Sequence, residues 1–194
     1  VNTPWNFGHE LLQPDIDRIA PSLEIGFRHF PGIANAGIKQ IINGPFTFAP
    51  DGQSVVFSAR VAGQSEPWST NFDLWRTNGL SGDGTFENLT DDNDAWDTGP
   101  VFSPDGRTMA YRAMARPGFE ADKYGIFLRD MATGQVRQIA ANWDRSADTL
   151  QWSRDGRTLY TTAGDVGQTR IFAVDVTSGS VVPITGEGHV SAFQ

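Results

Sequence analysis

A five-residue pattern occurs three times in this chain at nearly equal intervals. It reads Phe-Ala-Pro-Asp-Gly at 48–52, Phe-Ser-Pro-Asp-Gly at 102–106 and Trp-Ser-Arg-Asp-Gly at 152–156. Asp-Gly between two β-prone runs is typical of a hairpin turn, because glycine adopts a positive φ at little cost. The pattern therefore predicts three structural repeats, each containing a β-hairpin at the same place.

Each copy of the pattern is followed by three more β-prone runs, joined by short polar turns. The second runs are 54–59, 108–112 and 158–162; the third are 72–76, 125–129 and 170–174; the fourth are 86–89, 136–139 and 181–184. Four short antiparallel strands in about 50 residues are typical of one β-propeller blade. The alternative is a β-sandwich with unrelated Asp-Gly turns, which leaves the common order of the three units unexplained.

We therefore predict a mainly β fold, a partial β-propeller of about three blades with a short N-terminal α/β extension. The blades are expected at 44–91, 92–140 and 141–186, and residues 188–194 are expected to form the first strand of a fourth blade. In the extension, residues 1–43, a series of apolar residues recurs at helical spacing. These residues are Ile16, Ile19, Leu23, Phe27 and Phe30.

The charge balance and the composition exclude several classes of protein. The chain has 15 basic and 23 acidic residues, a net charge of −8, and no basic stripe that would bind nucleic acid. No apolar run reaches the ~18 residues of a membrane span, and residues 1–13 do not resemble a signal peptide. We expect a soluble chain of unknown compartment, without nucleic-acid or membrane partners. Because the chain has no cysteine, disulfides and thiolate catalysis are excluded.

Several phrases within residues 45–194 resemble the N-terminal propeller of the prolyl oligopeptidase family, in its dipeptidyl-peptidase and acylaminoacyl-peptidase branch. They are Asn-Phe-Asp-Leu-Trp at 71–75, Ala-Trp-Asp-Thr at 95–98, the pattern at 102–106, Arg-Pro-Gly-Phe-Glu-Ala-Asp at 116–122 and Trp-Asp-Arg-Ser at 143–146. The resemblance implies that the Ser-Asp-His machinery belongs to a separate α/β-hydrolase domain. These 194 residues contain no Gly-x-Ser-x-Gly nucleophile motif, so we expect no inherited catalysis.

The first part of the chain resembles an interior fragment of flavin-dependent dimethylglycine dehydrogenase and sarcosine oxidase. The similar stretches are 19–24 and 41–52. Because no Gly-x-Gly-x-x-Gly unit occurs here, flavin is predicted to be absent. The resemblance implies a chimera whose junction lies within 44–52. A natural three-blade relative with an unusual N-terminal extension is the alternative.

Two long connections carry the candidate substrate-binding residues. Glu66 and Trp68 lie in the connection 61–70, and Glu120 and Asp122 lie in the connection 113–123. The peptidase resemblance implies that acidic groups on the propeller side hold the free ammonium group of a peptide. Charge-assisted hydrogen bonds would provide that contact. The alternative is that both connections are solvated acidic loops.

Candidate metal ligands are spread over the chain. They are the three histidines, His9, His29 and His189, and two aspartates of the acidic connection 91–97, Asp92 and Asp94. Several carboxylate oxygens suit a hard divalent cation, although the connection lacks the glycine of a calcium-binding loop. A solvated inter-blade connection is the alternative. No other cofactor is expected.

The sequence leaves two functional hypotheses. The first is a binding and assembly module without catalysis; the second is a promiscuous hydrolase of esters or phosphoesters, with a newly formed and perhaps metal-dependent site in an assembled dimer. An open three-blade arc exposes its end blades, which favours association. We therefore expect a homodimer that closes the propeller, since a twofold pairing covers both open ends with identical interfaces.

Overall fold

The computed structural model describes Glu24, Arg28 and residues 46–50, 52, 54–61, 69–77, 85–191 and 193. Within them are twelve β-strands. These are β1 (Phe46–Phe48), β2 (Val55–Ala59), β3 (Asp73–Thr77), β4 (Phe86–Asn88), β5 (Asp97–Phe102), β6 (Thr108–Ala113), β7 (Gly125–Asp130), β8 (Val136–Ile139), β9 (Gln151–Trp152), β10 (Thr158–Asp165), β11 (Gln168–Asp175) and β12 (Val181–Pro183). The predicted N-terminal extension lies outside the described residues, except that Glu24 and Arg28 are helical and exposed.

The strands form three separate four-stranded sheets, in the orders β1-β2-β3-β4, β5-β6-β7-β8 and β9-β10-β11-β12. Every pair of neighbouring strands is antiparallel, so each sheet is a simple meander. This is the architecture of a propeller blade, in which the chain runs from the innermost to the outermost strand. We call the sheets blade 1, blade 2 and blade 3.

The Asp-Gly turns join the first and second strands of each blade. Gly52, Gly106 and Gly156 have φ of 64°, 71° and 69°. In blade 2 the Ser103 hydroxyl donates to Asp105 Oδ1 over 2.6 Å and accepts the Thr108 N–H over 3.0 Å. The same two bonds, with the same lengths, recur around Ser153 in blade 3. The predicted turn chemistry is therefore present in all three blades.

Two apolar clusters hold the blades together face to face. Between blades 1 and 2, the buried residues are Val56, Leu74, Leu89, Met109, Tyr111 and Ala113. Between blades 2 and 3, they are Ala110, Ile126, Leu128, Ile139, Ala147, Leu159 and Val174. Because side chains alternate across a strand, blade 2 supplies one of its faces to each cluster. The core of the described molecule therefore lies between the sheets.

The segment after β12 begins differently from the strand predicted for a fourth blade. His189 forms an isolated parallel bridge with Thr169 of β11, and the Val190 N–H donates to the Thr169 carbonyl over 3.0 Å. This segment is therefore attached to blade 3. Within the part of the chain that the structure describes, no helix is long and apolar enough to cross a membrane.

Candidate functional site

The loop between β6 and β7, residues 114–124, has an exposed stretch at 115–121. Asp122 ties the two ends of that stretch together. Its Oδ2 accepts the N–H groups of Ala115 and Arg116, both over 2.9 Å, and its Oδ1 accepts Arg116 Nε over 3.3 Å. Burial raises the pKa of Asp122, but these backbone donors, the Lys123 N–H and the guanidinium together bring it below its usual value. The carboxylate is therefore a structural anchor of the loop.

The tip of this loop is attached to blade 1. The Gly118 N–H donates to the hydroxyl of buried Thr70 over 2.7 Å, and Gly118 adopts a φ of 72°. The Arg116 guanidinium lies 3.9 Å from the centroid of the Phe119 ring. Such a cation–π contact and the cross-blade hydrogen bond restrict the loop to one conformation.

The end of the same loop is attached to the connection before blade 3. Lys123 Nζ donates to the Trp143 carbonyl over 2.7 Å, and the Tyr124 N–H donates to Ser146 Oγ over 3.0 Å. The Ala147 N–H returns a bond to the Tyr124 carbonyl over 3.1 Å. The loop therefore bridges all three blades.

Two side chains at the tip remain available to a ligand. The Phe119 side chain is 42% exposed, and Glu120 is exposed. Glu120 has no hydrogen bond or ion pair with any residue that the structure describes. A fixed backbone thus presents an aromatic ring beside an uncompensated carboxylate.

Arg112 lies at the base of this loop, in β6. Its Nη1 donates to the Ala147 carbonyl over 3.3 Å and lies 3.7 Å from Asp148 Oδ1, and its guanidinium is 5.0 Å from the Tyr124 ring centroid. Its buried Nε has no hydrogen-bond partner. Burial lowers the pKa of Arg112, which Asp148 opposes. Arg112 therefore places a largely buried positive charge between blades 2 and 3.

Asp97, the first residue of β5, lies buried at the junction of blades 1 and 2. Its Oδ1 accepts Asn93 Nδ2 over 3.0 Å, whereas its buried Oδ2 has no partner. Its backbone N–H donates to the Phe72 carbonyl over 2.7 Å. Burial is the main cause that raises the pKa of Asp97 to about 7; nearby Asp73 adds to the shift, and the hydrogen bonds from Asn93 and Thr90 oppose it. Because Asp97 is only 1% exposed, it stabilises or destabilises the junction and is closed to a substrate.

The structure separates the roles of the predicted substrate-binding residues. Glu120 is at the free tip of the β6–β7 loop, and Asp122 anchors that loop from within. Glu66 and Trp68, in the corresponding connection of blade 1, lie outside the described residues.

The predicted metal ligands are not brought together in the described part of the molecule. Asp92 and Asp94 are exposed in the connection between β4 and β5, and His189 is exposed beside β11. Among the described residues, no three His, Asp or Glu side chains are placed to hold one metal ion. His9 and His29 lie outside the described residues, so the metal site remains a prediction.

Sequence reasoning missed three residues on which this region depends, namely Thr70, Asp97 and Arg112. Thr70 and Arg112 act through contacts with residues far away in the sequence, which no local pattern reveals. Asp97 was read as part of a solvated acidic connection. The signal that could have distinguished it is its position before a bulged strand, where Gly99 interrupts the alternation.

The class of protein defined by these sheets is the β-propeller. Among solved structures, putative TolB from Agrobacterium tumefaciens superposes with a TM-score of 0.60 at 24% identity, covering 78% of this chain and 49% of that one. The β-propeller domain of the Trilobed protease from Pyrococcus furiosus gives 0.53 at 16% identity, covering 76% and 41%. These likenesses confirm the predicted mainly β, partial-propeller fold.

In sequence, the chain is similar to dipeptidyl-peptidase 5 of Porphyromonas gingivalis, with 32% identity over 145 residues. That match covers 74% of this chain and 21% of the relative, so the chain spans about a fifth of that protein's length. No family model matches the chain. The predicted resemblance to the propeller of prolyl oligopeptidase-type peptidases is confirmed. The dehydrogenase resemblance and the chimeric junction remain predictions.

Proposed function

We propose that this chain is a recognition module without catalysis of its own, and that the tip of its β6–β7 loop binds the cationic end of a peptide. The observation that carries the proposal is Glu120, an exposed carboxylate without a partner among the described residues, on a loop anchored to three blades. A peptide is the ligand class because the similar proteins are dipeptidyl-peptidases.

The rigidity of the loop supports this function. A loop that is already ordered loses little conformational freedom when a ligand binds, so more of the interaction energy appears as affinity. Phe119 offers an apolar surface next to the carboxylate. A peptide with a free ammonium group and an apolar first side chain would match both groups.

The overall charge supports the same ligand. A net charge of −8 attracts cations and repels anions. Because the contact at Glu120 is exposed, salt should weaken it considerably.

The test compares one short peptide with its N-acetylated form by isothermal titration calorimetry. A charge-assisted hydrogen bond is worth about 1.5–3 kcal/mol, so acetylation should weaken binding roughly ten-fold or more. Glu120→Gln should cause the same loss for the free peptide and none for the acetylated one. Glu187→Gln, at an exposed carboxylate in the segment after β12, is the matched control and should bind normally. Equal affinity for both peptides would reject the proposal.

The hydrolase hypothesis has weaker support. Asp97 has a pKa suited to a base, but it is buried, and exposed His189 has no hydrogen-bonded carboxylate or hydroxyl among the described residues. A hydrolytic site would therefore require His9 or His29. Ester and phosphoester assays with and without a chelator, followed by single substitutions of the three histidines, test this alternative.

A further inference from the structure

The outer face of blade 3 repeats, position by position, the face with which blades 1 and 2 bind the blade that follows them. The strand registers define the equivalence: Val56 pairs with Arg76, Ala110 with Leu128 and Tyr160 with Ala173. The three equivalent sets are Val56, Leu74 and Leu89 in blade 1; Ala110, Ile126 and Ile139 in blade 2; and Tyr160, Ile171 and Ile184 in blade 3.

The burial of these equivalent residues differs sharply. The six members in blades 1 and 2 are all buried, because the next blade covers them. In blade 3, Ile184 is 52% exposed, and Tyr160 and Ile171 are half-buried. Val182, beside Ile184 on the outermost strand, is also exposed. An apolar face with the composition of an inter-blade core is thus left open to solvent.

The opposite face of blade 1 carries the matching surface. In the existing junctions, the receiving blade contributes Met109 and Tyr111, or Leu159, from its second strand. The residues at these register positions in blade 1 are Val55 and Phe57. On the same face, Asp73 Oδ1 and Trp75 Nε1 are buried and have no hydrogen-bond partner. This face therefore has both the apolar residues and the unsatisfied polar atoms of an interface.

We propose that, in the 194-residue chain, the open face of blade 3 packs against the open face of blade 1 of a second copy. Two such contacts, related by a twofold axis, close a six-blade ring. Six lies within the four to eight blades typical of propellers. The second copy is the occupant because the new contact continues, with the same residue types, the two inter-blade junctions already present within the chain.

This arrangement has a defined symmetry. Each copy offers one blade 3 face and one blade 1 face, so two copies satisfy all four faces and leave none open. An arc that failed to close would add copies without limit. The proposal therefore predicts one discrete species of twice the 21.2 kDa chain mass.

The first test is sedimentation velocity at micromolar concentration. The unaltered chain should sediment as a dimer. Ile184→Lys, which places a charge on the open face of blade 3, should shift it to a folded monomer. Val136→Lys is the matched control: Val136 is an exposed residue on the outermost strand of blade 2, whose two faces are already covered within the chain. The control should remain a dimer.

The second test does not depend on the Lys variant folding. Because the chain has no cysteine, Val55→Cys combined with Ile184→Cys introduces the only thiols, one on each open face. A short thiol-specific cross-linker should give a dimer band on a denaturing gel. Val55→Cys combined with Val136→Cys should stay monomeric on the gel. A monomer of the unaltered chain, a ladder of larger oligomers, or equal cross-linking of both pairs would overturn the proposal.

Discussion

Blades 2 and 3 place an isoleucine at the same position of the outermost edge, with opposite results. Ile139 is 4% exposed because blade 3 covers it, whereas Ile184 is 52% exposed. The two residues have the same side chain and similar local backbone. The difference teaches that an individual blade of this chain does not make its own core: burial comes from the following blade.

A second comparison concerns the Asp-Thr pairs that precede the innermost strands of the same two blades. Asp97 of Asp97-Thr98 is 1% exposed, whereas the side chain of Asp148, in Asp148-Thr149, is 71% exposed. Blade 2 has one additional residue in this segment, and its register shifts between Thr98 and Val101. Because a shift of one residue exchanges the faces of a strand, the bulge turns one carboxylate inward.

Truncating the two isoleucines should have very different effects. Ile139→Ala is expected to lower the free energy of unfolding by about 2–5 kcal/mol, because it leaves a cavity between two blades. Ile184→Ala should cost less than about 1 kcal/mol at protein concentrations where the chain is monomeric, since an exposed side chain loses little burial. Urea denaturation measures both. Equal losses at low concentration would show that the face of blade 3 is covered within the single chain.

Asp97 should make the stability depend on pH. Its pKa is raised from 3.8 to about 7, so the folded state binds the proton more tightly than the unfolded state between these values. This contribution to stability is fully present below about pH 4 and is lost as the pH rises towards 7. The slope should approach about 1.4 kcal/mol per pH unit.

The measurement is the difference in unfolding free energy between the unaltered chain and Asp97→Asn from pH 4 to pH 8. The variant keeps the shape of the neutral carboxyl group and should become the more stable of the two as the pH rises. Asp148→Asn is the control at the exposed counterpart and should keep the slope. A slope unchanged in Asp97→Asn would contradict the assignment.

Local chemistry explains why much of the fold could be predicted. The Asp-Gly turns require glycine at a positive φ, and Gly52, Gly106 and Gly156 have it. The run predicted at 108–112 is observed as β6, Thr108–Ala113. The run predicted at 158–162 extends further, to Asp165, because its partner strand is equally long.

The roles of individual acidic residues could not be predicted in the same way. Glu120 and Asp122 are two positions apart, yet one is free and the other anchors the loop, since the outcome depends on which backbone N–H groups the folded loop turns inward. Asp97 was grouped with its solvated neighbours because alternation fails at the bulge. Such roles are set by tertiary contacts and not by residue type.

The connections between the second and third strands offer the smallest test of how blades 2 and 3 differ. Blade 2 has the long anchored loop, whereas blade 3 has a tight hairpin in which Val166 and Gly167 have φ of 49° and 78°. A β-branched residue at such a φ is strained, and Asn-Gly is the preferred pair for this turn. Val166 is 89% exposed, so replacing it loses no packing. Val166→Asn should therefore raise the unfolding free energy, by about 1 kcal/mol at most. Ser178→Asn, in the turn between β11 and β12, is the control, since the Ser178 N–H and hydroxyl already bind Asp175. It should lower stability slightly; a loss of stability in Val166→Asn would mean that Val166 contacts a partner, which sedimentation of the variant would reveal.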